Sequence, residues 1–180
     1  MGELAHRYRD MVENGSTNFS GLTVVHHAPE IGALMTRHWA RTALDVGCGR
    51  GEQYREPYNL QFGWGLESVT LYDPAFADHN KLPPEGKTFD AVICSDVLEH
   101  IPEHELDEFI GELFKRADKF VWMSVCCRKA KKEFPGGGNL HVTVKGINWW
   151  NAKVTNVARA VCVSRFGHID ALDWHLIQTL

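Results

Sequence analysis

The chain alternates short unbroken apolar runs with amphipathic stretches, and this alternation predicts its elements. Thr42–Val46, Val69–Tyr72, Phe89–Cys94 and a run from Asp118 or Lys119 to Val125 read as strands, because they are short, β-prone and bounded by turn residues. Ile31, Leu34, Met35, His38 and Trp39 recur at helical spacing and predict a helix from Pro29 to about Arg41. Leu106, Phe109, Ile110, Leu113 and Phe114 predict another from Pro102 to about Ala117. The polar segment 1–27 reads as a lead-in, partly helical over Leu4–Val12 and then a loop. Residues 51–57 allow only a short helix stopped by Pro57, and 75–88 form a loop broken at Pro83-Pro84-Glu85-Gly86. Arg128–Asn139 is basic and then glycine-rich, which predicts a mobile surface loop. Leu140–Val144 is β-prone, 146–158 suits a helix carrying Trp149 and Trp150, and Ala160–Phe166 and Ala171–Gln178 read as two closing strands. Strands alternating with helices predict one α/β domain over 28–180, built on a mainly parallel sheet.

Composition narrows the class. With 180 residues, 44% apolar and 23% charged, the chain has ordinary globular composition and room for one domain. Its net charge of -4 lacks the basic footprint of a dedicated nucleic-acid binder. Five cysteines, an odd number with no C-x-x-C, suit reduced thiols in a cytoplasmic protein better than a disulfide frame or zinc knuckle. Neither a signal peptide nor a membrane-spanning apolar stretch is visible, so a soluble protein is expected.

Candidate chemistry centres on Leu44-Asp45-Val46-Gly47-Cys48-Gly49-Arg50-Gly51. A strand feeding a glycine-rich turn places ligands beyond the carboxyl end of a parallel sheet, where glycine lets backbone approach them closely. The spacing is G-x-G-x-G, not the G-x-G-x-x-G of dinucleotide sites. Asp45 can accept from a ligand ammonium, and Asp73, 28 positions later at the next strand's end, can accept from ribose hydroxyls.

Three segments in this order carry a resemblance. Asp45–Gly51 resembles motif I of the class I S-adenosylmethionine-dependent methyltransferases, Leu71-Tyr72-Asp73-Pro74 their second motif, and Phe89–Ile101 (FDAVICSDVLEHI) their strand-4 segment. The resemblance implies a Rossmann-like three-layer sandwich with seven strands in the order 3-2-1-4-5-7-6, strand 7 antiparallel. Only 15 residues separate Asp73 from Phe89, so the region of helix B and strand 3 is shortened. It also implies that Asp45, Gly47, Cys48 and Gly49 hold the methionyl part of S-adenosylmethionine, Asp73 the ribose and Pro74 the adenine. Ser95, Asp96 and Val97 would border the cofactor, and Asp78 is a further candidate at the adenine. S-adenosylhomocysteine would be the product. A narrower resemblance, to small phage and bacterial methyltransferases, rests on Gln53-Tyr54, Asn139–Lys145 and Trp149-Trp150, and adds Tyr54 to the cofactor residues.

For the acceptor, His141, His100 and then Asp96 are the candidate bases. His141 and Lys145 would share one strand face and, with Trp149, form a substrate wall; an edge strand of solvated side chains is the competing reading. The basic run 128–132 is either a solvated loop or a phosphate contact. Cys48 reads as a turn residue rather than a nucleophile. His100, Glu103 and His104 spell H-x-x-E-H, but Pro102 starts a helix between the histidines, so no metal is expected. The expected function is in-line methyl transfer to a small polar or sugar-like molecule. The alternatives are a nucleotide or RNA methyltransferase, a nucleotide-dependent oxidoreductase and a non-catalytic cofactor-binding protein. The pocket motifs of DNA-base enzymes are missing, which weighs against DNA base methylation without excluding RNA or a nucleotide, and the net charge of -4 suits a small-molecule acceptor better than long nucleic acid. No membrane partner is expected, and the oligomeric state is not readable.

Overall fold

In the computed structural model, residues 4–157 are described with their side chains, and residues 158, 161–168 and 171–177 as backbone. Six strands form one sheet in the order β2-β1-β3-β4-β6-β5. Strands β1 (Thr42–Val46), β2 (Ser68–Tyr72), β3 (Phe89–Ser95) and β4 (Ala117–Cys126) are parallel. The closing hairpin of β5 (Val161–His168) and β6 (Ala171–Ile177) adds through β6, which runs antiparallel to β4.

The central strands are apolar at consecutive positions because both sheet faces are covered. Leu44, Val92, Cys94, Val121 and Met123 point to one face, against Leu106, Ile110 and Leu113 of α4 (Leu106–Lys115) and Trp150 and Val154 of α5 (Ile147–Ala158). Ala43, Ala91, Ile93, Phe120 and Trp122 point to the other. They meet Ile31, Leu34 and Met35 of α2 (Ala28–Arg37), and Leu60 of the short α3 (Leu60–Gly63). This is the expected three-layer arrangement. A third cluster, Met11, Phe134 and Leu140, lies under the N-terminal helix α1 (Ala5–Glu13).

Three expectations are corrected. The sheet has six strands among the described residues, without a strand 3 beyond β2. The chain from Asp73 to Lys87 is too short and proline-broken for one, and Arg116 holds the carbonyls of Pro83 and Pro84 instead. Leu140–Val144 is not a strand: the neighbouring sheet position beside β4 is taken by β6, and the segment lies across residues 99–101. There the Thr143 N–H donates to the Glu99 carbonyl (3.0 Å) and its hydroxyl to that of Ile101 (2.7 Å). The segment 128–139 is a surface loop, as expected, anchored by buried Phe134 with Arg7 over its ring at 3.9 Å and by Asn139, which bonds both backbone groups of Ala130. Finally α2 ends at Arg37 rather than Arg41, just before Trp39 takes a positive φ of 52°. Among the described residues no helix is long and apolar enough to cross a membrane.

Candidate active site

The strand ends define the site. Val46, Tyr72 and Ser95 close three adjacent parallel strands at one sheet edge, and each is followed by a turn that carries functional groups. After β1, Gly47 has φ +80°, and a Cβ there would fall 2.2 Å from Cγ2 of Val97. Gly49 has φ +58°, and a Cβ there would meet the Phe19 carbonyl at 2.3 Å. Only glycine lets the turn pass between the strand-4 motif and the N-terminal segment. The Arg50 N–H donates to the Phe19 carbonyl (3.0 Å), so residues 17–21 drape over the turn.

Two acids flank it. Asp45 is buried, and its Oδ2 accepts from Gln53 Nε2 and the Tyr54 hydroxyl, both at 2.9 Å. Burial pushes its carboxyl up to about 6, against the pull of these two hydrogen bonds. Asp73 accepts from the Gly49 N–H at Oδ2 and the Ala75 N–H at Oδ1, both at 2.9 Å, and burial still raises it. These bonds aim Asp73 into a cleft enclosing about 790 Å³, solvent mouth included, which Gly47, Pro74, Ala75 and Val97 also line. Tyr8 of α1 lines this cleft, and Arg9 ties the helix to its edge. Arg9 donates to the Pro74 carbonyl (2.9 and 3.2 Å), and Tyr8 to that of Leu140 (2.7 Å).

A second cleft continues from the first, and Phe19, Gly47, Asp96 and His100 line both. It brings Asp45, Gly49, Gln53 and Ser95 together with Glu99, Cys126, Arg128 and His141. Asp96 stands at φ +53°, held by the Ser124 hydroxyl, which donates to its Oδ1 at 2.8 Å. His100 Nδ1 lies 3.0 Å from the Leu140 carbonyl and therefore carries the proton. Burial, then the neighbouring His141, lowers His100 to about 4, so it is neutral near pH 7. His141 Nδ1 donates to the Arg128 carbonyl at 2.6 Å, which leaves the lone pair on Nε2, 4.0 Å from Oε1 of Glu99. Glu99 is fully buried, and burial followed by Asp96 holds its carboxyl well above the ordinary range.

Several of the sequence candidates lie outside the two clefts. Tyr54 lines neither cleft and reaches the site only through Asp45. Lys145 and Trp149 also lie outside both. Lys145 pairs with Glu103 at 2.7 Å beside Trp149, which packs on the α4–α5 core, and His141 borders that shallow neighbouring depression as well. The segment is not a strand, yet His141 and Lys145 still line one neighbouring pocket together with Glu103. Asp78 is exposed and lines neither cleft. Cys48 is buried, and that burial, with Asp45 and Asp73 beside it, raises its thiol far above the ordinary range, which suits a turn residue. His104 is exposed beside Glu105, apart from His100, so H-x-x-E-H builds no common site. Gln53, Glu99 and Cys126 were missed as site residues. Gln53-Tyr54 was visible as a motif and Glu99 lies within the Phe89–Ile101 segment, but Cys126 has no signal apart from the fold.

This geometry, two acids around a glycine turn beyond a parallel sheet, defines a class I methyltransferase scaffold. A family model described as a methyltransferase domain matches residues 23–150, and the chain belongs to that family, within the S-adenosylmethionine-dependent methyltransferases. Three solved structures share the fold. DhpI, in a SAM–HEP complex, is 14% identical with a TM-score of 0.65, covering 94% of this chain and 93% of that one. The 1,6-didemethyltoxoflavin-N1-methyltransferase of Burkholderia thailandensis is 17% identical with a TM-score of 0.60, covering 98% and 88%. Magnesium protoporphyrin IX methyltransferase of Synechocystis PCC 6803, with bound SAH, is 18% identical with a TM-score of 0.56, covering 86% and 83%. Comparison with curated proteins finds no match.

Proposed function

We propose that the chain binds S-adenosylmethionine along the glycine turn and transfers its methyl group in line to a small polar or sugar-like acceptor beside His141. The continuity of the two clefts carries this reading: four residues are common to both, so a cofactor with its nucleoside in the first runs into the second, where its methionyl end meets the acceptor groups. The residues fit the cofactor. Oε1 of buried Gln53 has no hydrogen-bond partner and lines the cleft with Asp45, a pair of acceptors suited to the methionyl ammonium. Asp73 suits the ribose hydroxyls, and Pro74, Ala75 and Val97 offer an apolar slot for adenine. Ser95, Asp96, Gly47 and Gly49 border the methionyl path.

When bound, S-adenosylmethionine supplies a methyl group on a positively charged sulfur, already activated toward a nucleophile. The chain's own residues then orient the acceptor, exclude water and receive a proton where the acceptor is a hydroxyl. His141 is the basic group of the acceptor wall, through its Nε2 lone pair. His100, neutral and tied to Leu140, shapes the cleft, and Asp96 stands where the two clefts meet. Arg128 in the lining suits an acceptor that carries a negative group.

The test is calorimetric titration with S-adenosylmethionine and with NAD, followed by an assay of S-adenosylhomocysteine release. The assay is run with small-molecule and RNA fractions of an extract. Binding of S-adenosylmethionine alone and turnover with the small-molecule fraction are expected. Turnover with RNA alone would replace the acceptor class, and binding without turnover would make the chain a non-catalytic cofactor-binding protein.

A further inference from the structure

We propose that Glu99, Cys126 and His141 form a binding site for one divalent transition-metal ion of the zinc class on the acceptor wall. The three come from separate places: the turn 98–100 after β3, the last residue of β4, and the segment that crosses residues 99–101. One donor atom from each lies within 4.8 Å of the others. Glu99 is 0% exposed; its Oε1 accepts the Cys126 N–H at 3.1 Å, and its Oε2 has no hydrogen-bond partner. A buried carboxyl with an unsatisfied oxygen ionises at acceptable cost only where a cation meets it, so this group is suited to exchange its proton for a metal ion.

The imidazole is prepared in the same sense. The Nδ1–H bond from His141 to the Arg128 carbonyl is the outer bond that metal-bound histidines make, and it leaves Nε2 as the ligand atom. One sulfur, one nitrogen and one oxygen donor select zinc-class ions over magnesium or calcium, which take oxygen sets. Ligands about 2.0–2.1 Å from a tetrahedral ion stand roughly 3.4 Å apart. The 4.0 Å between His141 and Glu99 must therefore close by about 0.6 Å. Three protein ligands leave a fourth position open, and all three line the acceptor cleft. With the ion bound, His141 is a ligand, and the ion rather than the imidazole would acidify an acceptor hydroxyl. That role rests on the proposed methyltransferase reading of the cleft; the binding site itself does not.

The experiment titrates chelator-stripped full chain, without S-adenosylmethionine, with Zn²⁺ by calorimetry and with Co²⁺ by absorption. One ion per chain is expected, with a sulfur-to-cobalt charge-transfer band that is lost in Cys126→Ser and kept in Cys127→Ser. Zinc affinity should fall at least about 100-fold in His141→Ala and Glu99→Gln. His141, partly exposed, serves as the check should the buried Glu99 variant fail to fold. No saturable zinc binding, or a band and an affinity unchanged in Cys126→Ser and His141→Ala, would overturn the site. Magnesium competing equally would overturn the zinc class. A parallel titration with S-adenosylmethionine separates the two readings: its failure would remove the methyltransferase reading and leave a positive zinc result standing.

Discussion

Around the glycine turn, the functional groups stand on a parallel strand or just beyond its end. Asp73 is held by two backbone N–H groups, Asp45 by the Gln53 and Tyr54 side chains, and Gly47 by its own N–H, which donates to the Tyr72 carbonyl at 2.8 Å. The acceptor half takes Cys126, Arg128 and His141 from the end of β4 and irregular chain beyond it. Cys126 pairs with Ala171 of β6 and donates its N–H to Glu99, whereas His141 is placed by loop groups alone, its N–H donating to Asn139 Oδ1 and its Nδ1–H to the Arg128 carbonyl. Regular structure positions the half that binds a fixed cofactor, and loop packing positions the half where acceptors differ between enzymes of one fold.

Substitutions can break this contrast. The largest effect is expected from Gly47→Val, which meets Val97 at a backbone angle that only glycine holds easily. Stability should fall by about 3 kcal/mol or more in a thermal melt, with cofactor binding lost in titration. Val97→Ala should restore only part of it, because the positive φ remains. On the other half, His141→Ala should lower turnover by about 10²–10⁴-fold in steady-state kinetics, with cofactor affinity within about twofold. Loss of cofactor binding instead would join the two halves into one unit.

The cofactor half should also respond to pH through Asp45. Its carboxyl titrates near 6, so affinity for S-adenosylmethionine should rise about tenfold between pH 5 and 7, and the rise should flatten in Asp45→Asn. The same raised value means that the unliganded fold holds this proton more tightly than the unfolded chain. The stability it contributes is full below about pH 4 and lost as pH rises through 6, so cofactor should raise the melting temperature more at pH 7.5 than at pH 5 (about). Tyr54→Phe removes one of two donors to Asp45 and should cost about 1 kcal/mol, near fivefold in cofactor affinity by titration, with the pH midpoint moved upward. The smallest effect is expected for Lys145→Ala, under about twofold on kcat/KM, because Lys145 pairs with Glu103 outside the two clefts. A large effect there would extend the acceptor wall into the neighbouring depression.

Most of the fold was legible because buried parallel strands and amphipathic helices leave periodic traces. Thr42–Val46, Phe89–Ser95 and the stripe Leu106–Phe114 were visible for that reason. The strand reading of Leu140–Val144 failed although its β-prone composition was real. Whether such a segment joins a sheet depends on a free edge, and β6 fills the position beside β4. His141 and Lys145 nonetheless line one pocket beside the acceptor cleft, with Lys145 over the Trp149 ring, because the irregular segment keeps both on the same side.

By itself the sequence determined the parallel core, the glycine turn and the two strand-end acids, because local periodicity and tight-turn chemistry are written in neighbouring residues. Only the tertiary structure decided that Glu99, Cys126 and His141 share one wall. Their spacing, 27 and then 15 positions, has no period, and they meet only because β3, β4 and the segment crossing residues 99–101 pack against one another. A buried carboxyl with an unpartnered oxygen exists only once that packing has removed it from water.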